Sequence, residues 1–328
     1  MTHPSTTIVT CIEAGPLEQQ VVLLAKSLRM QSGRFSGSDI IAIAPRRGPS
    51  ISRETKNMLS RLKVELVKEN VVKSYGWFST YNKPAAMAFI ESRTQTTYLT
   101  WMDGDIVVMD NLDELIPSDG SDFLCRAGES PLGSNGKDGD ASYWKKLAEI
   151  TGINYRTSDL IDSLPQRSKI YEYYQSGVYT YRRTTGIGRR QAELFEKVVQ
   201  SGIGSASSGT YHHDQATLSL AAIDCAPKRQ RLAWRYNYNF NMSSPEKIDP
   251  EMLPSLAVLH YHGSFHPEQW DRAESFFTHL PDETVALIRE NAPFVATRMG
   301  PVARLYRRAL RGLRERRMDA YRRTVQIY

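Results

Sequence analysis

The order of segments in this 328-residue chain predicts an α/β fold: a parallel sheet with helices on its faces, followed by a helical, basic C-terminal tail. Three observations predict it. Apolar runs of strand length alternate with helix-period segments over the first hundred residues. A Gly-Pro pair opens the first helix just after a strand ends, and residues able to do chemistry gather where strands stop. With 41% hydrophobic and 24% charged residues, the composition is that of a globular protein with a sizeable core.

Residues 6–12 (TTIVTCI) read as the first strand. Gly15-Pro16 then starts a helix in which Leu17, Val21, Leu24 and Leu28 recur at helical spacing. Residues 39–44 form a second strand, residues 45–49 (PRRGP) break the chain, Met58, Leu59 and Leu62 mark a short helix, and residues 64–67 form a third strand. An aromatic turn (residues 75–81) precedes a helix starting at Asn82-Lys83-Pro84. Residues 122–126 and 176–181 read as strands, residues 142–150, 189–199 and 216–223 as helices, and residues 128–140 and 201–209 as loops rich in Gly and Ser. Asp214 stands where it would cap the helix at 216–223 or lie in its first turn. Residues 231–234 read as a further strand and residues 256–259 as the last core strand, with an Asn- and Tyr-rich loop at 235–241 suited to holding a polyol.

The net charge of +6 is uneven. Residues 298–328 hold ten Arg, no Lys and two acids, a local charge of +8, which leaves about −2 for the rest. Cys11, Cys125 and Cys225 are isolated among apolar residues and read as reduced core thiols. Neither a leader-like segment nor an 18-residue apolar run is present, so a cytoplasmic location is expected.

The most informative stretch is YLTWMDGDIVVM, residues 98–109, where an apolar run is interrupted by Asp103 and Asp105 around Gly104. An uncompensated carboxylate in low dielectric costs several kcal/mol, so something must balance these two. A surface Asp-Gly turn is one reading. The apolar flanks favour the other, a strand end that presents two hard oxygen ligands to a divalent cation across a tight glycine turn. In parallel sheets ligands sit beyond the carboxyl ends of the strands, where Glu13 also falls. Three of the seven histidines occur within HYHGSFH, residues 260–266, at another strand end, and a neutral imidazole from His260 would complete such a site. Lys83, at a helix N-terminus where a cation gains nothing from the dipole, is read as facing an anion.

Asp-Xaa-Asp after an apolar strand looks like the metal-binding motif of GT-A glycosyltransferases. The order Asn82-Lys83, Asp103-Gly104-Asp105, Gln175-Ser176-Gly177-Val178, Asp214-Gln215, an Asn-rich loop and His260-Xaa-His262-Gly263 resembles the family 8 glycosyltransferases over roughly residues 6–270. The resemblance implies a GT-A, Rossmann-like, mixed but mainly parallel sheet, with residues 1–270 as catalytic domain and 271–328 as a helical extension. It implies that Asp103, Asp105 and His260 ligate Mn²⁺ or Mg²⁺, and that Glu13, Lys83, Gly104, Gln175, Ser176, Gly177, Gly263 and His266 line the donor site. Asp214 and Gln215 would meet the sugar at the reacting carbon, and Trp234, Asn237 and Asn239 are candidate acceptor contacts. Gln175 and His266 stand where that family usually carries Asn and Lys.

The expected reaction is metal-dependent transfer of a hexose from a nucleotide-diphosphate sugar, a UDP-sugar favoured, to a glycan, lipid-linked or small polyol acceptor; the resemblance implies retention of configuration, and with inversion Asp214 would be the general base. Two other readings stand beside it. One is a sugar-phosphate nucleotidyltransferase or Mg²⁺-dependent phosphohydrolase; the other is a binding protein on a degenerate transferase fold. In the tail, Val302, Leu305, Ala309 and Leu313 recur at helical spacing among arginines. The pattern suits either an anionic membrane surface, at the inner face of the membrane, or packing on the domain. No nucleic-acid partner is expected, because no recognition module accompanies the arginines.

Overall fold

The computed structural model describes residues 5–117, 120–129, 132–156, 160–163, 168–295 and 299–328. Arg298, parts of the loop expected at 128–140, and parts of the irregular region after residue 151 lie outside the described residues.

The first half of the chain builds β1 (Thr6–Cys11), α1 (Pro16–Met30), β2 (Asp39–Ala44), α2 (Arg53–Arg61), β3 (Val64–Lys68), α3 (Asn82–Arg93), β4 (Tyr98–Met102), β5 (Ile106–Val108) and β6 (Phe123–Ala127). Next come α4 (Ala141–Thr151), two short paired strands β7 (Ile161–Asp162) and β8 (Lys169–Ile170), β9 (Tyr174–Arg182), α5 (Ile187–Ser201), β10 (Ile203–Gly204), α6 (His213–Cys225) and β11 (Arg229–Leu232). The remainder holds β12 (Tyr238–Asn239), β13 (Val258–His260), α7 (Trp270–Glu274), α8 (Asp282–Asn291), α9 (Pro301–Arg322) and β14 (Gln326–Ile327).

Seven strands make the central sheet in the order β11-β6-β9-β4-β1-β2-β3. All run parallel except β9, which lies antiparallel between β4 and β6. Strands buried on both faces need apolar residues at every position rather than alternation. YLTWM of β4 and FLCRA of β6 approach this, with Thr100 and Arg126 as the polar exceptions, and every residue of both is buried. One face of the sheet carries Val9, Trp101 and Tyr179 against Met87, Leu194 and Leu218 from the helices. The other carries Ile8, Ile40 and Met102 against Val21, Leu24 and Leu28 of α1. Each such fully buried large side chain contributes about 1.5–3 kcal/mol.

The apolar run at 98–109 divides at the aspartates. β4 stays in the central sheet, whereas β5 joins a three-stranded sheet, β12-β13-β5. The strand expected at 256–259 is likewise in this small sheet, as β13. Backbone hydrogen bonds at the turn, from Asp103 N–H to the Gly177 carbonyl and from Tyr261 N–H to the Asp105 carbonyl, hold the chain in its new direction. A third core, built on Val107, Phe240, Leu259, Phe265 and Ile288, packs beneath the small sheet.

The tail is helical, as expected, but its packed face is not the predicted apolar stripe. Val302 and Leu305 are 80% and 69% exposed. Met318 and Tyr321 pack instead on the Phe78–Tyr81–Phe195 cluster, with the Tyr321 ring 5.2 Å from that of Trp77. The end of the chain is tied down by parallel pairing of β14 with β10. Aromatic burial near residue 321 outweighs the aliphatic stripe and sets the rotation of the helix. Among the described residues, no helix is long and apolar enough to cross a membrane.

Candidate active site

The site lies in a cleft of about 410 Å³ at the carboxyl ends of β1 and β4. Gly177 of β9 leaves no room for a side chain unless its neighbours shift. A Cβ would stand 2.5 Å from Asn237 Oδ1 and 2.7 Å from His260 Nδ1. Gly104 acts differently. Its φ is outside the left-handed range, and a side chain would press on Val21 at 3.3 Å, so the position uses small size rather than the backbone freedom expected of it.

On one side of the cleft, pairing of β13 with β5 sets His260 opposite Ile106 and so beside Asp105, with Nε2 3.2 Å from Asp105 Oδ1. Asn237 Oδ1 accepts from His260 Nδ1 at 2.8 Å, which fixes the ring and turns Nε2 toward the carboxylate. His262 has φ +49°, a left-handed conformation that costs a bulky residue about 1–3 kcal/mol. That conformation stacks its ring on His260, centroids 4.0 Å apart. Burial, then the adjacent His260, depress the His262 imidazole to a pKa of about 3, so it is neutral. Burial pulls His260 down as well, but the Asp105 and Asp103 carboxylates outweigh it and raise its pKa. Burial likewise works against ionised Asp105, and His260 and His262 overcome it, holding this carboxyl below its usual range. One ligand atom from each of Asp105, His260 and His262 lies within 4.8 Å of the others. One carboxylate oxygen and two imidazoles, one of them oriented from behind by Asn237, are a donor set that fits a divalent transition cation.

On the other side, Lys83 of α3 is buried and Nζ donates to the Ser176 carbonyl and Oγ, both at 2.8 Å. It lies 3.0 Å from Asp103 Oδ1 and 3.3 Å from Asp214 Oδ2. Ser176 Oγ donates to Asp214 Oδ2 at 2.8 Å, and Trp101 Nε1 donates to Asp103 Oδ1 at 2.7 Å. Burial disfavours the ammonium, but Asp103 and Asp214 more than restore it and Lys83 is raised. Asp103 is also raised: burial dominates, and Lys83 and His260 only partly offset it. Asp214 lies in the first turn of α6, the second of the two places expected for it; the cap position is His212, and the Asp214 carboxylate turns inward to the lysine.

Residues 8–225 match the sequence model of the Rhodobacterales glycosyltransferase domain. The chain belongs to that family. No curated protein matches it. Among solved structures, the apo form of WbbM, a bifunctional glycosyltransferase, is similar in fold with a TM-score of 0.50 and 12% identity over 88% of this chain and 52% of that one. The apo glycosyltransferase GlyE of Streptococcus pneumoniae superposes with a TM-score of 0.46 and 16% identity over 87% of this chain and 62% of that one. The chain thus spans about half to three-fifths of the length of these two structures.

In this glycosyltransferase domain the cleft brings together most of the residues singled out from sequence: Glu13, Lys83, Asp103, Asp105, Gln175, Ser176, Gly177, Asp214, Gln215, Asn237, Asn239 and His260 all line it. Gly104, Trp234, Gly263 and His266 do not. Trp234 packs edge-on to Tyr238, and His266 lies against Phe294. Asn237 supports His260 rather than standing free for an acceptor. Gln215 accepts from the Tyr173 hydroxyl at 2.9 Å, and Gln175 donates to Glu129 at 3.2 Å. Glu13 is clasped by the Arg46 guanidinium and accepts from Asn82 Nδ2 at 3.2 Å.

Sequence reasoning missed Arg46, His262 and the pair of buried Arg126 with half-buried Glu129, all of which line the cleft. The signal for His262 was present in the His-Xaa-His spacing. Arg46 lay hidden in a segment read only as a chain break.

Proposed function

We propose that this protein is a metal-dependent glycosyltransferase that moves a hexose from a nucleotide-diphosphate sugar, a UDP-sugar favoured, to a glycan, lipid-linked or small polyol acceptor. The observation that carries the reading is the two-sided cleft, with a cation-ready Asp105–His260–His262 group on one wall and a Lys83-centred acidic network on the other. Asp105, His260 and His262 would hold Mn²⁺ or Mg²⁺, with Asp103 beside them, one of its oxygens 3.9 Å from His260 Nε2. A bound cation would supply Lewis-acid stabilisation of the charge developing on the departing diphosphate.

The chain's own groups do the rest. Lys83 offsets the charge of Asp103 and Asp214, so that a polyanionic donor can enter. Ser176 and Lys83 fix the Asp214 carboxylate toward the sugar pocket. An aspartate held by a lysine and a hydroxyl is a weak general base and a good stabiliser of positive charge at the reacting carbon. This supports retention, with Asp214 and the Gln215 amide at the donor sugar. It also favours a family-8-like donor site over phosphohydrolase chemistry. The solvent-facing Val302, Leu305 and Leu313, set among arginines, are consistent with a lipid-linked acceptor approached at an anionic membrane surface.

Calorimetry of UDP and UDP-sugars with and without Mn²⁺ tests the central claim. Binding that requires the cation and is lost in Asp105→Ala supports it. Cation-independent binding, or equal binding by the variant, overturns it.

A further inference from the structure

A second cavity, of about 390 Å³, adjoins the cleft and shares Glu13, Leu17, Arg46 and Ser79 with it. Its floor comes from the ends of β1 and β2; its opposite wall is α9, which contributes Arg307, Leu310, Arg314 and Met318. The basic helix is therefore a wall of the cavity next to the reaction centre, not an appendage remote from it.

The charge of this cavity is unbalanced in a specific way. Six basic side chains line it against three acidic ones. Each acid already has a partner: Glu13 is held by Arg46, Glu315 lies 3.6 Å from Arg311 and Asp319 lies 3.7 Å from Arg322. Among the described residues, the remaining Lys68, Arg307 and Arg314 make no ion pair, and two of these three come from α9. The Arg307 guanidinium lies flat against Gly15, where a Cβ would stand 2.7 Å from its Cζ. Arg314 donates to the Arg47 carbonyl at 2.5 Å, beside Arg46. Three cations without an ion-pair partner around a half-open cavity, Arg307 and Arg314 half-buried and Lys68 exposed, suit a polyvalent anion. The same wall offers Leu310 and Met318, and Trp77 joins them across the cavity, an apolar and aromatic surface that suits a planar base.

We infer that α9 forms the outer wall of the donor site, Arg307 and Arg314 contacting the anionic part of a nucleoside diphosphate whose base lies against Leu310, Met318 and Trp77. The inference rests on the donor reading proposed above. A two-lobed space suits a two-part ligand: the nucleoside and its nearer phosphate beside α9, the distal phosphate and sugar in the cleft with Asp105 and Lys83. The tail then determines donor affinity, and donor binding in turn holds the tail in place.

The test is calorimetry on the full chain with UDP, GDP and ADP in the presence of Mn²⁺. It compares Arg307→Ala and Arg314→Ala with Arg304→Ala and Arg308→Ala, which remove the same charge from the exposed side of the helix. Thermal melts of each variant confirm that it is folded. Each inner substitution is expected to weaken nucleotide binding about tenfold, the effect of one charge-assisted hydrogen bond, and each outer one to leave it unchanged. Hydrogen exchange on the unmodified chain is the second readout: amides of residues 301–322 gain protection when nucleotide and Mn²⁺ are added. Inner and outer variants that bind alike, or a helix whose exchange ignores the nucleotide, overturn the role of α9 and leave the donor reading standing. An unmodified chain that binds none of the three diphosphates overturns both.

Discussion

Asp103 and Asp105 are separated by one residue, and their surroundings drive them in opposite directions. Asp103 faces Lys83 and Trp101 in a buried network, and its carboxyl is raised. Asp105 faces two imidazoles, and its carboxyl is depressed. The difference is one of partners: Asp103 is already tied to a fixed internal cation, whereas Asp105 faces the imidazoles of His260 and His262. A motif that reads as a symmetric pair is, in the fold, a carboxylate tied to a buried lysine beside one that faces two imidazoles.

The sharpest way to break this contrast is Lys83→Met. It removes the internal cation and leaves Asp103 and Asp214 confronting each other. A loss of about 3–5 kcal/mol of stability is expected, as for a buried pair deprived of one partner, measured by urea denaturation. A loss below about 1 kcal/mol, the range of surface pairs, would show that the network is solvated and the contrast unreal.

Asp105→Asn addresses the other wall. Mn²⁺ affinity, followed by calorimetry or by paramagnetic relaxation of water, should fall on the order of a hundredfold with little change in melting temperature, since a ligand rather than a packing group is altered. The contrast fails if Asp103→Asn lowers metal affinity as much and leaves stability equally untouched.

His213 tests whether the Lys83 wall is inert to pH. It is fully buried behind Asp214, with the Tyr143 hydroxyl 3.1 Å from Nδ1, and burial brings its pKa to about 4. A base depressed on folding binds fewer protons in the native state. Its contribution is therefore intact above the unfolded pKa near 6.5 and is lost as pH falls toward 4. Stability should drop by about 2 kcal/mol between pH 7 and pH 5 from this residue alone. Melting curves of His213→Gln across that range should show the slope reduced by that amount.

The smallest expected effect is at Gly177→Ala. The new methyl meets Asn237 and His260, so the imidazole shifts and metal affinity falls about tenfold, as for loss of an orienting partner, while the Lys83 network keeps its stability. An unchanged affinity would mean that Asn237 does not orient the ring.

Much of this was legible in the chain itself. Strands such as YLTWM and helices such as the one opened by Gly15-Pro16 declare themselves by local pattern, because burial on both faces and helix initiation are local demands on residue type. Carboxylates at Asp103 and Asp105 and the histidines at 260–266 announced a site because charge and imidazole at strand ends require compensation from elsewhere. Which partner supplies that compensation is not a local property. Only the antiparallel insertion of β9, the diversion of β5 into a second sheet and the pairing of β13 with β5 decided that Lys83 takes Asp103 while the histidines take Asp105. The tail shows the same limit. Its helical period was written in residues 301–322, but the face that packs was chosen by Met318 and Tyr321 finding an aromatic cluster formed by residues 78–81 and 195. Long-range burial fixed a rotation that spacing alone left open.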